Sequence, residues 1–444
     1  MSDTKPDALR IAVAGLGTVG AAVIAILQRD ATRLAARCGR PIEVAGVTAR
    51  NRARKRTVDI SSYDWAADPV ALAKSECDVF VELIGGDEGP AREAVETALD
   101  AGRHVVTANK ALLAKHGVQL AERAERNGVA LLYEAAVAGG IPIIKTMRES
   151  FSGNDVTRVS GILNGTCNYI LARMEEEGIS FADCLAHAQR LGYAEADPTF
   201  DVRGDDTAHK LAILASLAFG TRISFEALHL EGITQITLDD IEAAHGLGYR
   251  IKLLGVATRT GEGVETRVHP ALVPLDTALA DVGGVLNAVV VESELLGQVM
   301  MVGPGAGGAA TASAVLGDIT DIARHSGPEG FRPVLGTRAG ALVPHEQAPT
   351  QSHPGGFFIR MEVLDRPGVM AAVAQAMADQ SISLESIVQR RRAGAAAKGG
   401  PSDVQPIVLM THETAQGAIA AAVKAMLAED YLVAEPRIIR VERL

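Results

Sequence analysis

The side chains best able to do chemistry in this chain crowd into one short stretch, LGYAEADPTFDVRGDDTAHK, from Leu191 to Lys210. It carries Glu195, Asp197, Asp201, Asp205, Asp206, His209 and Lys210. An apolar run, LAILASLAF, follows and reads as helix. Asp205 and Asp206 stand where the dipole of that helix favours acids. Asp206 and Lys210 are four apart, so on a helix they share one face. A carboxylate beside an amine positions it and tunes its proton affinity, which suits acid–base catalysis. Read alone, the pair suits an ordinary solvated ion pair behind an N-cap better. The rest of the chain must supply any reason to read it otherwise.

The first part of the chain supplies one. LRIAVAGLGTVG is an apolar run followed by Gly15, Gly17 and Gly20, and then by the amphipathic AAVIAILQRDATRLAAR. Strand, glycine turn and helix is the context in which GxGxxG marks a dinucleotide site. The run Gly15, Leu16, Gly17, Thr18, Val19 and Gly20 would lie along the pyrophosphate, with the helix N-terminus facing the phosphates. IEVAGVTA, DVFVELIG, HVVTAN and VALLYEA continue as strands alternating with helices, which predicts a doubly wound parallel sheet. Ligands in such sheets bind at the carboxyl ends of the strands. Thr107, Asn109 and Lys110 lie there, and so does the Gly85–Gly86 pair. An NAD site usually carries an acid after the second strand, but here Arg50, Asn51, Arg52, Arg54, Lys55 and Arg56 follow. Arg50 and Lys55 could pair with a 2′-phosphate, which favours NADP, with NAD still possible. A basic, solvent-facing loop is the plainer alternative.

The middle of the chain changes character at Ala135. VTRVSGILNGTCNYIL predicts a strand running into a helix, with Asn164, Gly165 and Thr166 at the join. Those residues suit either an N-cap or donors to a ligand. RIKLLGVATRT, GVETRVHPALVP and NAVVVESELLGQVMMVG predict antiparallel strands, turning at Gly261–Gly263 and near Gly297. Such an open, Val- and Leu-rich sheet would need covering, often by another subunit. GPGAGGAATASAVLGDITDIARH predicts glycines leading into a helix from Ala309 to about His325. That helix is expected to return to the nucleotide sheet and bring Gly303, Gly305 and Gly307 near the cofactor. Residues 326–355 are rich in Pro, Gly and polar groups and read as a linker or extended connection. The tail then reads βαββαβ, the ferredoxin-like order, with a basic loop at RRAGAAAKGGPSD.

Composition narrows the classes. The chain has 444 residues, 48% hydrophobic and 22% charged, which suits a globular protein of several domains. A net charge of −11 argues against nucleic acid or an anionic membrane as the main partner. No apolar run reaches membrane-spanning length, and MSDTKPDALR has no apolar core of a signal peptide. Cys38, Cys77, Cys167 and Cys184 are scattered without metal spacing, so free thiols in the cytoplasm are expected.

Together GLGTVG, TANK, EAAVAGGIPII, GILNGTCNYIL, LGYAEADP, DVRGDDTAHKL and GPGAGGAATASAVLGDI resemble homoserine dehydrogenase over the whole chain. The tail resembles an ACT domain through VLDRPGVMAAVAQAMADQSISLES. The resemblance implies a Rossmann-type α/β domain at 1–134, completed by 303–330. It implies an α+β substrate-binding and dimerisation domain with an open sheet at 135–302, a linker at 331–355, and the ACT domain at 356–444. The activity implied is reversible NAD(P)H-dependent reduction of L-aspartate 4-semialdehyde to L-homoserine, on the route to threonine and methionine. By resemblance Lys210 is the proton donor and Lys110 helps bind substrate and orient the nicotinamide. Glu195 and Asp206 bind homoserine, Asp201 lies beside them, and Thr166 and Gly165 line the site. Thr107 and Gly305 join the cofactor set. A sodium ion is implied on the backbone carbonyls of Glu134, Val137, Gly139 and Ile141, and unpaired carbonyls suit a hard cation. Threonine is implied as an effector held near Asp365, Arg366, Pro367 and Gly368, in a homodimer or homotetramer. Removing residues 350–444 would then spare activity and abolish the response.

Independently of the resemblance, an ammonium is a sound donor to the alkoxide that grows as an aldehyde is reduced. Carboxylates suit the substrate's cationic amino group. Lys110 as donor, with Lys210 only orienting, remains the alternative. Two other readings differ in kind: a semialdehyde-oxidising enzyme with Cys167 as nucleophile, and a non-catalytic amino-acid sensor on a Rossmann scaffold.

Overall fold

A computed structural model describes residues 7–226, 228–325, 332–349, 354–389 and 404–443. The basic loop RRAGAAAKGGPSD lies outside these residues.

The first sheet contains β1 (Leu9–Ala14), β2 (Ile42–Thr48), β3 (Asp64–Trp65), β4 (Val79–Glu82), β5 (His104–Thr107) and β6 (Leu131–Leu132). Its order is β3-β2-β1-β4-β5-β6, all parallel. The strand order reverses beside β1, so the crevice there opens at the strands' carboxyl ends. The central strands are buried on both faces, which is why they read as near-continuous apolar runs. β3 is two residues long and carries no periodic signal in the sequence. The run after GLGTVG breaks at Asp30 into helices Thr18–Arg29 and Ala31–Cys38. Asp30 ends the first by pairing with Arg29 and Arg33.

The helix Gly308–Arg324 does return to this sheet. Its Ala312, Val315, Leu316, Ile319 and Ile322 share a core with Val23, Ile24 and Leu27 of the glycine-turn helix. Burying each of the Val, Leu and Ile side chains among them is worth about 1.5–3 kcal/mol. The closing of the nucleotide layer therefore rests on a segment almost three hundred residues downstream of its first strand.

The second sheet is mixed. It holds β7 (Val156–Ile162), β8 (His229–Leu230), β9 (Tyr249–Thr260), β10 (Gly263–Pro274), β11 (Leu286–Ser293) and β12 (Gly297–Pro304). β9 and β10 form a long hairpin paired from Gly263↔Thr260 to Pro274↔Tyr249. The helices Gly165–Glu177 and Asp205–Phe219 belong to the large core beneath this sheet. The LAILASLAF part of Asp205–Phe219 is mostly buried, hence its nearly unbroken apolar sequence.

The tail folds as β13 (Pro354–Leu364), β14 (Leu384–Gln389), β15 (Val404–Thr411), β16 (Thr414–Ala415) and β17 (Arg437–Val441), with helices Val369–Asp379 and Gln416–Leu427. Its order β17-β13-β15-β14 is ferredoxin-like, and it does not stand apart. β17 pairs in parallel with β10, at Ala271↔Arg440 and Leu272↔Val441, so the two sheets are continuous. One edge of the open sheet is thus covered by the chain's own tail. The other edge, β12, has no further strand beside it among the described residues, and Leu295, Leu296 and Val302 are exposed nearby.

The 332–349 segment is extended but anchored. The Tyr133 hydroxyl donates to the Val334 carbonyl at 2.8 Å, and Ala339 N–H donates to Glu125 at 3.0 Å. Isolated bridges tie Val343 to Thr221 and Gln347 to Val264.

Candidate active site

The helix Asp205–Phe219 begins at Gly204, in a left-handed conformation, with no side-chain cap. Its first turn presents Asp206, and Lys210 lies one turn on, as the i,i+4 spacing requires. Asp206 is 6% and Lys210 8% exposed, so this is a buried pair and not a solvated one. Lys210 Nζ donates to Asp206 Oδ2 at 2.6 Å and to the Leu163 carbonyl at 2.7 Å. Lys110 Nζ lies 3.2 Å from Asp206 Oδ1. One carboxylate therefore holds two ammonium groups from different layers of the molecule. Burial by itself would push the Asp206 carboxyl up. The Lys210 and Lys110 charges outweigh it and hold Asp206 well below the usual carboxylate range.

Lys110 reaches this point from the nucleotide sheet. It opens the helix Lys110–Arg126, capped by Asn109, whose side chain accepts from Leu112 N–H at 3.1 Å. Asn109 also donates to the Gly86 carbonyl at 2.6 Å. Thr107 donates to Glu82 at 2.5 Å, and Glu82 accepts from Ile84 and Gly85 N–H at 2.7 and 3.0 Å. TANK and the Gly85–Gly86 loop are thereby tied into one rim at the strand ends.

Asn164 connects the parts of the site. It does cap the helix Gly165–Glu177, accepting from Cys167 N–H at 2.8 Å. Its Nδ2 also donates to Asp206 Oδ2 at 2.9 Å and to Asp201 Oδ1 at 2.8 Å. Those partners are 42 and 37 residues away, beyond any local pattern. Asp201 is raised, chiefly by burial and against the Asn164 hydrogen bond. Thr166 donates to the Tyr193 carbonyl at 2.8 Å, which ties this helix to the LGYAEADP loop. Gly165 sits so close to Val285 that a Cβ would lie 2.6 Å from its carbonyl oxygen.

The remaining expected residues divide. Lys210, Lys110, Asp206 and Asp201 converge, and Thr166 and Gly165 stand beside them. Glu195 is exposed, and none of the contacts among the described residues joins its carboxylate to the lysines. Asp206, expected to grip the substrate's amino group, engages Lys210 and Asn164 through one oxygen and Lys110 through the other. Asp197 accepts from Thr199 N–H at 3.1 Å and so shapes the turn, while Asp205 lies 3.5 Å from Arg203. Cys167 is fully buried, its thiol within 3.2 Å of the Asp201 carbonyl. Burial, then Asp201 and Asp206, push that thiol well up, which opposes a thiolate nucleophile.

The glycine turn fits a dinucleotide. Gly15 has φ +103°, and a Cβ there would fall 2.3 Å from the Leu83 carbonyl oxygen. A Cβ at Gly20 would fall 2.0 Å from the Gly15 carbonyl oxygen, whereas Gly17 faces open space. Gly17 caps the helix Thr18–Arg29 through no side chain, which leaves its first N–H groups for an anion. Leu16 is buried and Val19 packs on the same core. The helix at Gly308 abuts Thr18, where a Cβ on Gly308 would lie 2.9 Å from the threonine methyl. In the basic loop, Arg56 donates to the Asn51 and Arg54 carbonyls, while Arg52 lies over Trp65. Arg50 and Lys55 are exposed.

The turn expected to bind sodium is strained and buried, with Ala138 at φ 52° and Gly139 at φ 30°. Both Glu134 carboxylate oxygens accept backbone N–H groups, from Ile144 and Lys145 at 2.8 Å. Val137 and Gly139 are buried, and their carbonyls take no backbone hydrogen bond among the described residues, whereas Ile141 accepts from Ile143 at 2.8 Å. Unpaired buried carbonyls fit a hard cation. No cluster of three or more His, Cys, Asp or Glu that could hold a metal occurs among the described residues.

Known proteins match this chain over nearly its whole length. The family model described as homoserine dehydrogenase matches residues 142–320, and its NAD binding domain matches 15–134. An ACT domain model matches 357–429. The homoserine dehydrogenase of Pseudomonas aeruginosa is 44% identical over 98% of this chain and 99% of its own. That of Corynebacterium glutamicum is 42% identical over 98% and 96%. The crystal structure of a homoserine dehydrogenase from Thiobacillus denitrificans superposes with a TM-score of 0.90 at 40% identity, covering 98% of both chains. A hyperthermophilic archaeal homoserine dehydrogenase in complex with NADPH matches 70% of this chain and 96% of its own, at 27% identity and a TM-score of 0.59.

Proposed function

The chain belongs to the homoserine dehydrogenase family, and from that premise we propose which of its residues carry the reaction. The enzyme is a nicotinamide-dependent oxidoreductase that interconverts L-aspartate 4-semialdehyde and L-homoserine. The nicotinamide ring, when bound, supplies or takes the hydride.

Lys210 is the proton donor for reduction, and one observation carries this. An ammonium has three N–H bonds. Two of Lys210's end on Asp206 and Leu163, which leaves one for the substrate oxygen. As negative charge grows on that oxygen, Lys210 stabilises it and then gives up the proton. In homoserine oxidation the neutral amine takes the hydroxyl proton instead. Asp206 stays anionic and fixes both lysines. Lys110, held from the nucleotide side, orients substrate against cofactor. Asp201 and Glu195 face the amino end of the substrate, and Thr166 and Gly165 shape the wall.

The cofactor is NADP in preference to NAD, because β2 is followed by Arg50 and Lys55 and no acid. Gly15–Gly20, Thr107, Lys110 and Gly305 complete its cradle. Sodium binds the carbonyls of Glu134, Val137, Gly139 and Ile141 and stiffens that turn. Threonine acts at the tail's Asp365–Gly368 turn, where Arg366 is held by Asp430 at 3.1 Å. The working unit is a homodimer or homotetramer, and the enzyme is cytoplasmic. No helix among the described residues is long and apolar enough to cross a membrane.

Homoserine oxidation with NADP and with NAD tests the cofactor reading. kcat/KM should be higher with NADP, and Arg50→Ala should lower it for NADP by about tenfold or more while sparing NAD. A clear preference for NAD would contradict it.

A further inference from the structure

Asn287, at the start of β11, has no part in the chemistry assigned above, yet it touches the same atoms. It is 1% exposed and sits opposite Gly303 of β12. Its Nδ2 donates at 2.9 Å to the Leu163 carbonyl, the acceptor that also holds Lys210 Nζ. The amide lies flat on Gly305, where a Cβ would fall 2.1 Å from its Cγ and Nδ2 and 2.3 Å from its Oδ1. Any side chain at 305 would displace it.

The orientation of this amide is fixed by chemistry. A carbonyl accepts and cannot face another acceptor, so the NH2 must point at Leu163. Oδ1 is then turned away, buried, and without a partner among the described residues. Buried acceptors are normally satisfied. A lone one beside Gly305 is a ready acceptor for an N–H or O–H that arrives with a ligand.

We propose that Asn287 is a positioning residue for proton transfer: by fixing the Leu163 carbonyl it sets where Lys210 Nζ stands. The residue after Leu163 is Asn164, which carries Asp201 and Asp206. One amide on β11 therefore steadies the peptide from which both the lysine's acceptor and its carboxylate are placed. The inference rests on Lys210 being the proton donor.

The test uses Asn287→Ala and the nearly isosteric Asn287→Asp in the full-length enzyme, with Lys210→Ala alongside. Asn287→Asp sets a charged oxygen near an ammonium otherwise surrounded by Asp206, Asp201, Lys110 and Cys167, none of which is altered. For homoserine oxidation, kcat should fall at least tenfold in both variants, with KM for homoserine within about threefold. The limb of kcat against pH set by the base should move upward in Asn287→Asp and not in Asn287→Ala. A pH profile unmoved in both variants overturns the proposal, and so does a change confined to KM. Losses of kcat and Tm together, with the profile unmoved, give Asn287 a purely structural role and also overturn it. Lys210→Ala with near-normal kcat would instead remove the reading beneath.

Discussion

At the scale of residues, the site is a set of competing claims on a few atoms. Asp206 would be raised by its burial and is lowered by two lysines, so its charge is fixed by partners and not by solvent. Its ionisation contributes stability above the ordinary aspartate range, and that contribution is lost progressively as pH falls from that range through its depressed folded value. Cys167, 0% exposed and next to Thr166, goes the other way. Activity should therefore survive treatment of the folded enzyme with a thiol alkylating agent, assayed as homoserine oxidation. Rapid stoichiometric inactivation by modification of Cys167 would revive the nucleophile reading. Asp206 and Lys210 were legible from spacing, and Lys110 from its place after a strand. Asn164's bridge to Asp201 and Asp206, and Asn287's hold on Leu163, were not, because each joins segments distant in sequence.

At the scale of elements, the helix Gly165–Glu177 is set against the sheet by a buried polar knot. Lys252 of β9 is 1% exposed and donates to Asn168 Oδ1 at 3.0 Å and to the Val282 carbonyl at 2.7 Å. Asn168 in turn donates to the Val282, Gly284 and Leu286 carbonyls at 3.0, 3.1 and 3.2 Å. Burial first, and Arg250 next, bring the Lys252 ammonium down to about 8. Between that value and the ordinary lysine range the unfolded chain binds more protons than the folded one, so stability rises with pH. Below about pH 8 both states are protonated and the dependence vanishes. Lys252→Met should lack the rise. From pH 8 to 10 the wild type should gain on it by on the order of 2 kcal/mol, read as a widening difference in Tm. Parallel curves would contradict this. The helices and long strands were legible because their periodicity is strong. The two-residue β3 was not, and the break at Asp30 hid inside an unbroken amphipathic run.

At the scale of the whole molecule, the tail is wired into the catalytic sheet. Glu442, just after β17, is 4% exposed and takes Arg267 Nη2 of β10 at 2.8 Å, with Arg158 of β7 as a further partner. Arg267 also pairs with Glu265 and donates to His269 at 3.1 Å. Burial would raise Glu442, but Arg267 leads the groups that hold it well below the carboxylate range. Removing one member of such a pair leaves a buried charge, at a cost of about 3–5 kcal/mol. The βαββαβ order could be read from the sequence, but its union with the catalytic sheet could not, because a parallel pairing between β10 and β17 has no local signature. Excising residues 350–444 would therefore damage the catalytic sheet as well as remove the proposed effector site. A cleaner probe of regulation is Asp365→Ala in the intact chain. Threonine should inhibit homoserine oxidation by the wild type, and this variant should keep its basal rate while needing about tenfold more threonine. Equal inhibition of both would move the effector site elsewhere.

The central claim is that Lys210, anchored by Asp206 and Leu163, transfers the proton. Its most direct test is kcat in both directions for Lys210→Ala and Lys110→Ala, with Tm measured for each. Lys210→Ala should lose about 10²–10⁴-fold in kcat both in homoserine oxidation and in aspartate semialdehyde reduction, whereas Lys110→Ala should chiefly raise KM. Near-normal kcat in Lys210→Ala, with the loss falling on Lys110→Ala, would contradict the account.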